Sequence, residues 1–396
     1  MSAHGRAGRL LRGAAVLAVL AGLVGCGTGG TGGSTGPGST GSASSTDSAD
    51  GRGGAGGPGD IGSIESFLGD DALPAGSSGA LVAGRGDRID VCGGWGEPDE
   101  QGGEGPGCDT LFDIMSMTKQ FTAAAVVRLQ MDGLLDVADP LADHLPAVPA
   151  DKQGITIEHL LTHTSGLLDT LGPDDEPLTR DAFLREALGS APLSEPGETY
   201  LYSNVGYSVL TAVIEEVSGQ DYEAYLAEHL FTPSGMTSTG YVLPDWSTTQ
   251  VAVEYDADGR AQGTPLDHPW AEDGPYWNLR GNGGLLSTPR DMFRWHVALR
   301  GDAVLDAAAR RELFEPRVRE EPDETYYAYG WVADDPDDPR IFWHNGGNGR
   351  AYGEIGRDPA GDVFVFWVAN RSAGDGWDLG ESGTDLTSGL FERLSG

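Results

Sequence analysis

Ser116 and Lys119 stand three residues apart in the stretch Ile114-Met115-Ser116-Met117-Thr118-Lys119-Gln120-Phe121, and Lys119 is one of only two lysines in a chain whose other basic side chains are arginines. Apolar neighbours on both sides put the pair next to a core, where lysine is seldom left. On a helix, residues three apart share a face about one turn up, so the serine hydroxyl and the lysine amine come within reach of each other. Serine is a weak nucleophile at its free pKa and needs a base. A desolvated lysine can lose its proton and serve, whereas arginine stays charged. The chemistry implied is a serine nucleophile activated by a lysine base. The tetrapeptide alone also fits an exposed lysine following a capping serine.

The elements that must hold such a pair are readable from periodicity. Apolar spacing over 116–131 is helical and stops near Gly133, and a second helix runs from Val205 through Val209, Leu210, Val213, Ile214 and Val217 to Gly219. Thr288-Pro289-Arg290-Asp291 reads as another helix start, with a capping threonine, proline first and an acid third. Residues 61–70 can form a short helix. Strands are expected at 79–83 and 88–93 around the turn Gly84-Arg85-Gly86-Asp87, then at 326–332, 340–343, 351–357 and 363–370, with a last helix over 377–394. Two strands, a helical middle, then three or four strands and a helix imply an α+β fold. Its antiparallel sheet is assembled from both ends of the chain and flanked by helices, with an all-helical insert between.

The N-terminal part supplies an address. Arg6, Arg9 and Arg12 precede an apolar run from Ala14 to Val24 that is too short to span a bilayer, which marks a secretory signal. Leu23-Val24-Gly25-Cys26 resembles the lipobox of bacterial lipoproteins, which implies a signal over 1–25 and a diacylglycerol on Cys26. The plainer alternative is an ordinary cleaved signal with an incidental cysteine. Residues 26–60 are almost entirely Gly, Ser, Thr, Ala and Pro, a flexible tether that cannot bury enough apolar surface to order itself. The folded domain is then 61–396, with its α/β part at about 61–115 and 285–396 and its mostly helical part at about 116–284. Outside the cytoplasm disulfides persist, so Cys92 and Cys108, with no histidine near either, are expected to pair. Closing that loop of about 15 residues contributes roughly 3 kcal/mol in the chain-entropy view. A formal net charge of −36 excludes nucleic acid as a partner and leaves only a lipid anchor to hold the chain at a membrane.

Three short motifs together resemble the serine β-lactamase and penicillin-binding protein superfamily, in particular its class C β-lactamase-related, esterase and D-aminopeptidase-like branch. Ser116-Met117-Thr118-Lys119 matches the S-x-x-K motif, Tyr202-Ser203-Asn204 matches Y-x-N ahead of a helix, and His344-Asn345-Gly346 matches the K-T-G or H-x-G triplet on an inner strand. LLTHTSGL at 160–167, PGETYLYSNVGY at 196–207 and GGLLSTPRDM at 283–292 look like the same branch, so the resemblance covers about 61–394. It implies that Ser116 forms the acyl-enzyme, that Lys119 accepts or relays its proton, and that Tyr202 donates to the leaving atom or activates the deacylating water. Which of Lys119 and Tyr202 is the base stays open. Asn204 would hold a substrate amide or carbonyl, or else cap the following helix. His344 and Gly346 would contact substrate, and the backbone N–H groups of Ser116 and Gly347 would form the oxyanion hole.

The departure from the family pattern is His344, where class C β-lactamases and many penicillin-binding proteins have lysine. A histidine is mostly neutral near pH 7, so recognition of a β-lactam carboxylate is in doubt. Hydrolysis of an ester or small amide, esterase-like or D-peptidase-like, with β-lactamase activity weak or absent, is expected. The alternative is a tethered sensor of cell-wall peptides or β-lactams that is acylated without turnover. No cofactor and no metal are expected: His159 and His163 have the spacing of a zinc pair on an expected helix, but the H-E-x-x-H base is missing because residue 160 is leucine. Asp174-Asp175-Glu176 reads as solvated loop, and Trp270, Tyr276 and Trp277 as cleft or core. The expected particle is a monomer acting on a small molecule or peptide at the outer face of the bacterial membrane.

Overall fold

Eight strands make one antiparallel sheet in the computed structural model, which describes residues 73–96, 105–243, 251–267 and 270–395. The signal, Cys26, the tether and the short helix expected over 61–70 lie outside these residues. The strands are β1 (Ser78–Arg85), β2 (Arg88–Trp95), β3 (Val318–Arg319), β4 (Tyr326–Tyr327), β5 (Val332–Ala333), β6 (Phe342–Gly347), β7 (Tyr352–Arg357) and β8 (Val363–Arg371), in the order β2-β1-β8-β7-β6-β5-β4-β3. β1 pairs with β8 from Gly79↔Ala369 to Arg85↔Val363, so the two ends of the fold meet inside the sheet, second and third from one edge. The helices that bear on the site and the sheet are α1 (Lys119–Met131), α2 (Ile157–Leu161), α3 (Arg180–Gly189), α4 (Asn204–Ser218), α5 (Pro289–Ala298) and α6 (Leu379–Ser395).

Period-2 alternation sends side chains of the central strands to two different cores. Ala80, Val82, Phe364, Phe366 and Val368 face the large core shared with α1, α4 and α5, while Leu81, Ala83, Val363, Val365 and Trp367 face Leu386, Leu390 and Phe391 of α6. Both faces are covered, which is why these strands read as near-continuous apolar runs. α1 is buried nearly all round, with Phe121 packed at 5.4 Å on Phe231 and 4.8 Å on Trp295, centroid to centroid. A helix of that kind belongs in an interior.

Several expectations are corrected. The strand expected over 326–332 is two strands, β4 and β5, because the chain turns at Gly330 (φ 72°), where a Cβ would come within 2.8 Å of the Lys119 carbonyl oxygen. The sheet makes room there for the start of α1. The C-terminal half contributes six strands to the sheet, not three or four. The last helix starts at Leu379, since Trp377 and Asp378 pair instead with Gly374 and Ala373. His163 lies beyond the five-residue α2 at φ 58°, so His159 and His163 do not share a helix face. The Thr288 cap forms as expected, its hydroxyl accepting from the Asp291 N–H at 3.1 Å. Cys92 and Cys108 are joined, with Cα atoms 5.6 Å apart.

Candidate active site

Ser116 sits in a 3-10 turn, Met115–Thr118, that runs directly into α1, so it stands at the mouth of the helix and not within it. The turn is tied down from behind: the Ile114 N–H donates to Leu285 O at 2.9 Å and the Met115 N–H to Asp113 Oδ1 at 2.6 Å. Met115 has φ 48°, a left-handed setting that costs a residue with a side chain roughly 1–3 kcal/mol and persists only where the surroundings impose it. Gly346 of β6 passes beneath. A Cβ there would fall 2.8 Å from both Met115 Cβ and the Ser116 nitrogen, so the missing side chain is what lets the strand approach the nucleophile.

Lys119 is fully buried, and its Nζ has three partners: Asn204 Oδ1 at 2.7 Å, Asn282 O at 2.8 Å and Ser116 Oγ at 3.1 Å. None of these is a carboxylate. Lys152, also buried, pairs with Asp151 at 2.9 Å and with Ser190 O at 2.6 Å, so burial alone does not single out Lys119. Burial drives the Lys119 pKa down to about 7, against the more distant charges of Asp169 and Asp174, which pull it up. A neutral amine with two N–H groups on Asn204 and Asn282 turns its lone pair to the Ser116 hydroxyl. Acylation is therefore expected to rise as pH climbs through about 7 and then level off. Rates on an uncharged ester between about pH 5 and 9 check this; a flat profile contradicts it.

Tyr202, half-buried, puts its ring centroid 4.9 Å from Lys119 Nζ. Burial pushes its phenol well above the ordinary value, while the nearby Ser116 side chain pulls in the opposite direction. His163 fixes the loop that carries it: the His163 ring lies 4.3 Å from that of Tyr202, and His163 Nδ1 accepts from the Ser203 N–H at 3.0 Å. The cap of α4 is Ser203, whose hydroxyl accepts from the Gly206 N–H at 2.9 Å. Asn204 is thereby free of capping; its Oδ1 faces Lys119 and its Nδ2 donates to Asp169 Oδ1 at 2.9 Å.

His344 does not line the cleft. Its Nδ1 donates to Asn345 O at 2.6 Å and its Nε2 accepts from the Tyr327 hydroxyl at 3.1 Å, because a carbonyl oxygen can only accept. Burial and the nearby Lys119 hold its pKa down at about 3, so it is neutral and engaged within the protein. Gly346 likewise serves close packing here. Residues Ser116, Asn204 and Gly347 line one cleft of about 310 Å³, with Asp113, Asp174, Asp175, Glu254, Trp270, Asn282, Asn348 and Arg350 among its other walls. Of the three aromatic candidates, Trp270 reaches the cleft while Trp277 is buried beside Phe183. Sequence reasoning missed Asn282, whose backbone carbonyl holds Lys119; its amide is pinned on Ser208 Oγ and Asn278 O at 2.8 Å each. A carbonyl leaves no signature in a sequence. It also passed over Asp113, although an acid among the apolar residues before Ser116 was a visible signal.

This arrangement, a serine at the head of a buried helix beside an inner sheet strand, defines an active-site serine protein of the β-lactamase and transpeptidase fold. The beta-lactamase family model matches residues 71–380, and the chain belongs to that family of serine hydrolases. Penicillin-binding protein 4* of Bacillus subtilis (strain 168) is 32% identical over 255 residues, 60% of this chain and 56% of that one. The chain spans about half the length of the curated relatives it matches. Among solved structures, a penicillin binding protein from Bacillus halodurans superposes with a TM-score of 0.68 at 26% identity, covering 80% of this chain and 95% of that one. A class C beta lactamase from Rhodobacter sphaeroides gives a TM-score of 0.68 at 21% identity, covering 86% and 100%, and shows the fold alone.

Proposed function

We propose that the protein is an exported, lipid-anchored hydrolase that forms an acyl-enzyme on Ser116 with esters or small amides, using Lys119 as the base. The observation that carries this reading is the Lys119 amine, buried without a carboxylate contact and 3.1 Å from Ser116 Oγ. Ser116 Oγ bonds to the substrate carbonyl carbon as its proton passes to Lys119. The leaving alkoxide or amine then takes a proton from the Tyr202 phenol, which Lys119 replenishes. Burial moves the two groups apart, an amine near neutrality and a phenol held protonated, and this divides the roles of base and acid. The oxyanion is met by the Ser116 and Gly347 N–H groups.

The charge of the cleft favours one substrate class. Asp174, Asp175 and Glu254 face the space beside Asp113, whose carboxyl pKa burial raises to about 7, and the one lining cation among the described residues, Arg350, lies 3.6 Å from Glu254. The lysine that meets a carboxylate elsewhere in the superfamily is replaced by a neutral, inward-turned His344. A substrate with a free ammonium group fits such walls better than one with a free carboxylate. Amino-acid p-nitrophenyl esters or p-nitroanilides with a free amine are expected to show kcat/KM at least about 10-fold above their N-acetylated counterparts, with β-lactams poorer still. Equal rates for the two forms overturn the charge assignment but not the serine chemistry. Lipid attachment is checked separately, by loss of detergent-phase partitioning in Cys26→Ser.

A further inference from the structure

Asp113 is a buried carboxylate that the reaction above does not use, and it stands between the two parts of the active site that must agree in position. Its Oδ1 accepts the N–H of the strained Met115 at 2.6 Å, one residue before Ser116. Its Oδ2 faces Asn348 Nδ2 at 3.4 Å, one residue after Gly347. Asn348 is itself fixed. Its Oδ1 accepts the N–H groups of Arg350 and Ala351 at 3.0 and 2.8 Å, closing the turn between β6 and β7, and its Nδ2 also donates to Glu254 Oε1 at 2.8 Å. Asp113 is anchored by the pairing of Phe112–Asp113 with Leu286–Ser287. The Ser116 turn and the end of β6 are separated by over 200 residues of chain, and this is a polar link between them within the cleft wall.

We propose that Asp113 and Asn348 form a positioning clamp that holds the nucleophile turn and the Gly347 end of β6 in one mutual setting, so that the Ser116 and Gly347 N–H groups converge on a single point. The inference rests on the acyl-enzyme reading of Ser116. An oxyanion hole works only when both donors sit near 2.7–3.1 Å from the position the oxygen will occupy, and losing one donor typically costs about 10²–10³-fold in rate. A clamp of this kind acts on kcat, since the geometry it sets matters most in the transition state.

Two single substitutions break the link without removing either anchor. Asp113→Asn keeps an oxygen for the Met115 N–H but sets an amide donor against Asn348 Nδ2. Asn348→Asp keeps the acceptor that closes the hairpin but loses the donor to Asp113 and Glu254. Each is expected to slow fluorophosphonate labelling of Ser116, followed by intact mass, and to lower kcat on an ester by about 10-fold or more, with KM changed less than about 3-fold. The double variant exchanges donor and acceptor and is expected to react at least about 5-fold faster than the product of the single effects predicts, short of full recovery because Glu254 still lacks its amide donor. Single variants that label at the wild-type rate, or a double variant whose losses simply multiply, overturn the clamp. Thermal melting of each variant accounts for any loss of folded protein. A wild-type protein that takes no label overturns the reading of Ser116 itself, a result distinguishable from failure of the clamp alone.

Discussion

Ser116→Ala is expected to lose at least about 10³-fold in turnover on any substrate the wild type accepts, with little change in thermal stability. The hydroxyl is only partly buried, with Lys119 Nζ at 3.1 Å and the Tyr202 phenol as side-chain partners, and its removal leaves Nζ with Asn204 Oδ1 and Asn282 O still in place. Among the described residues that line the cleft, Ser116 is the one hydroxyl or thiol. Cys92 and Cys108 are consumed in a disulfide, and the hydroxyl of Tyr202 belongs to a phenol pushed above its ordinary pKa. Residual turnover from bound water attacking in the oxyanion hole sets the floor, which the kcat of the purified variant measures. Turnover within about 10-fold of wild type would sink the assignment.

Lys119→Met is expected to lower acylation by at least about 10³-fold for a different reason, the loss of the base. The side chain is similar in length and apolar, so the volume at the head of α1 stays filled. Its effect on stability is expected to have the opposite sign. A lysine whose pKa in the folded protein is about 7 binds fewer protons than the unfolded chain between there and the ordinary lysine range, so wild-type stability rises with pH across that window. The burial penalty is fully present below about pH 7 and is relieved above it. Lys119→Met escapes that penalty, so it is expected to melt at or above the wild-type temperature near pH 7, with the advantage shrinking toward pH 10. Melting curves at several pH values check this, and a variant that melts well below wild type at pH 7 contradicts it.

Much of the frame was legible because burial on two faces writes itself into sequence. The long strands β1 and β8 alternate between two apolar cores, and α1 and α4 carry helical apolar spacing. The short strand β3 was not legible, and β4 and β5 read as one strand, since two residues carry no period and their pairing is decided by neighbours elsewhere in the sheet. Of the site, Ser116, Lys119, Tyr202 and Asn204 were readable from motif order, and the structure brings all four together. His344 was not readable in its actual orientation. Whether a strand side chain meets substrate or turns into the wall depends on partners such as Tyr327, which no local spacing reveals. The hold on Lys119 by Asn282 and the link from Asp113 to Asn348 join segments over 160 residues apart, so only the fold can show them.

The most direct measurement is the intact mass of the folded protein after brief exposure to a fluorophosphonate, with Ser116→Ala alongside. A single adduct on the wild type and none on the variant is the predicted result, because only a serine activated by its neighbours reacts at that speed. No adduct on the wild type, or the same adduct on both proteins, would contradict the claim that Lys119 makes Ser116 a nucleophile.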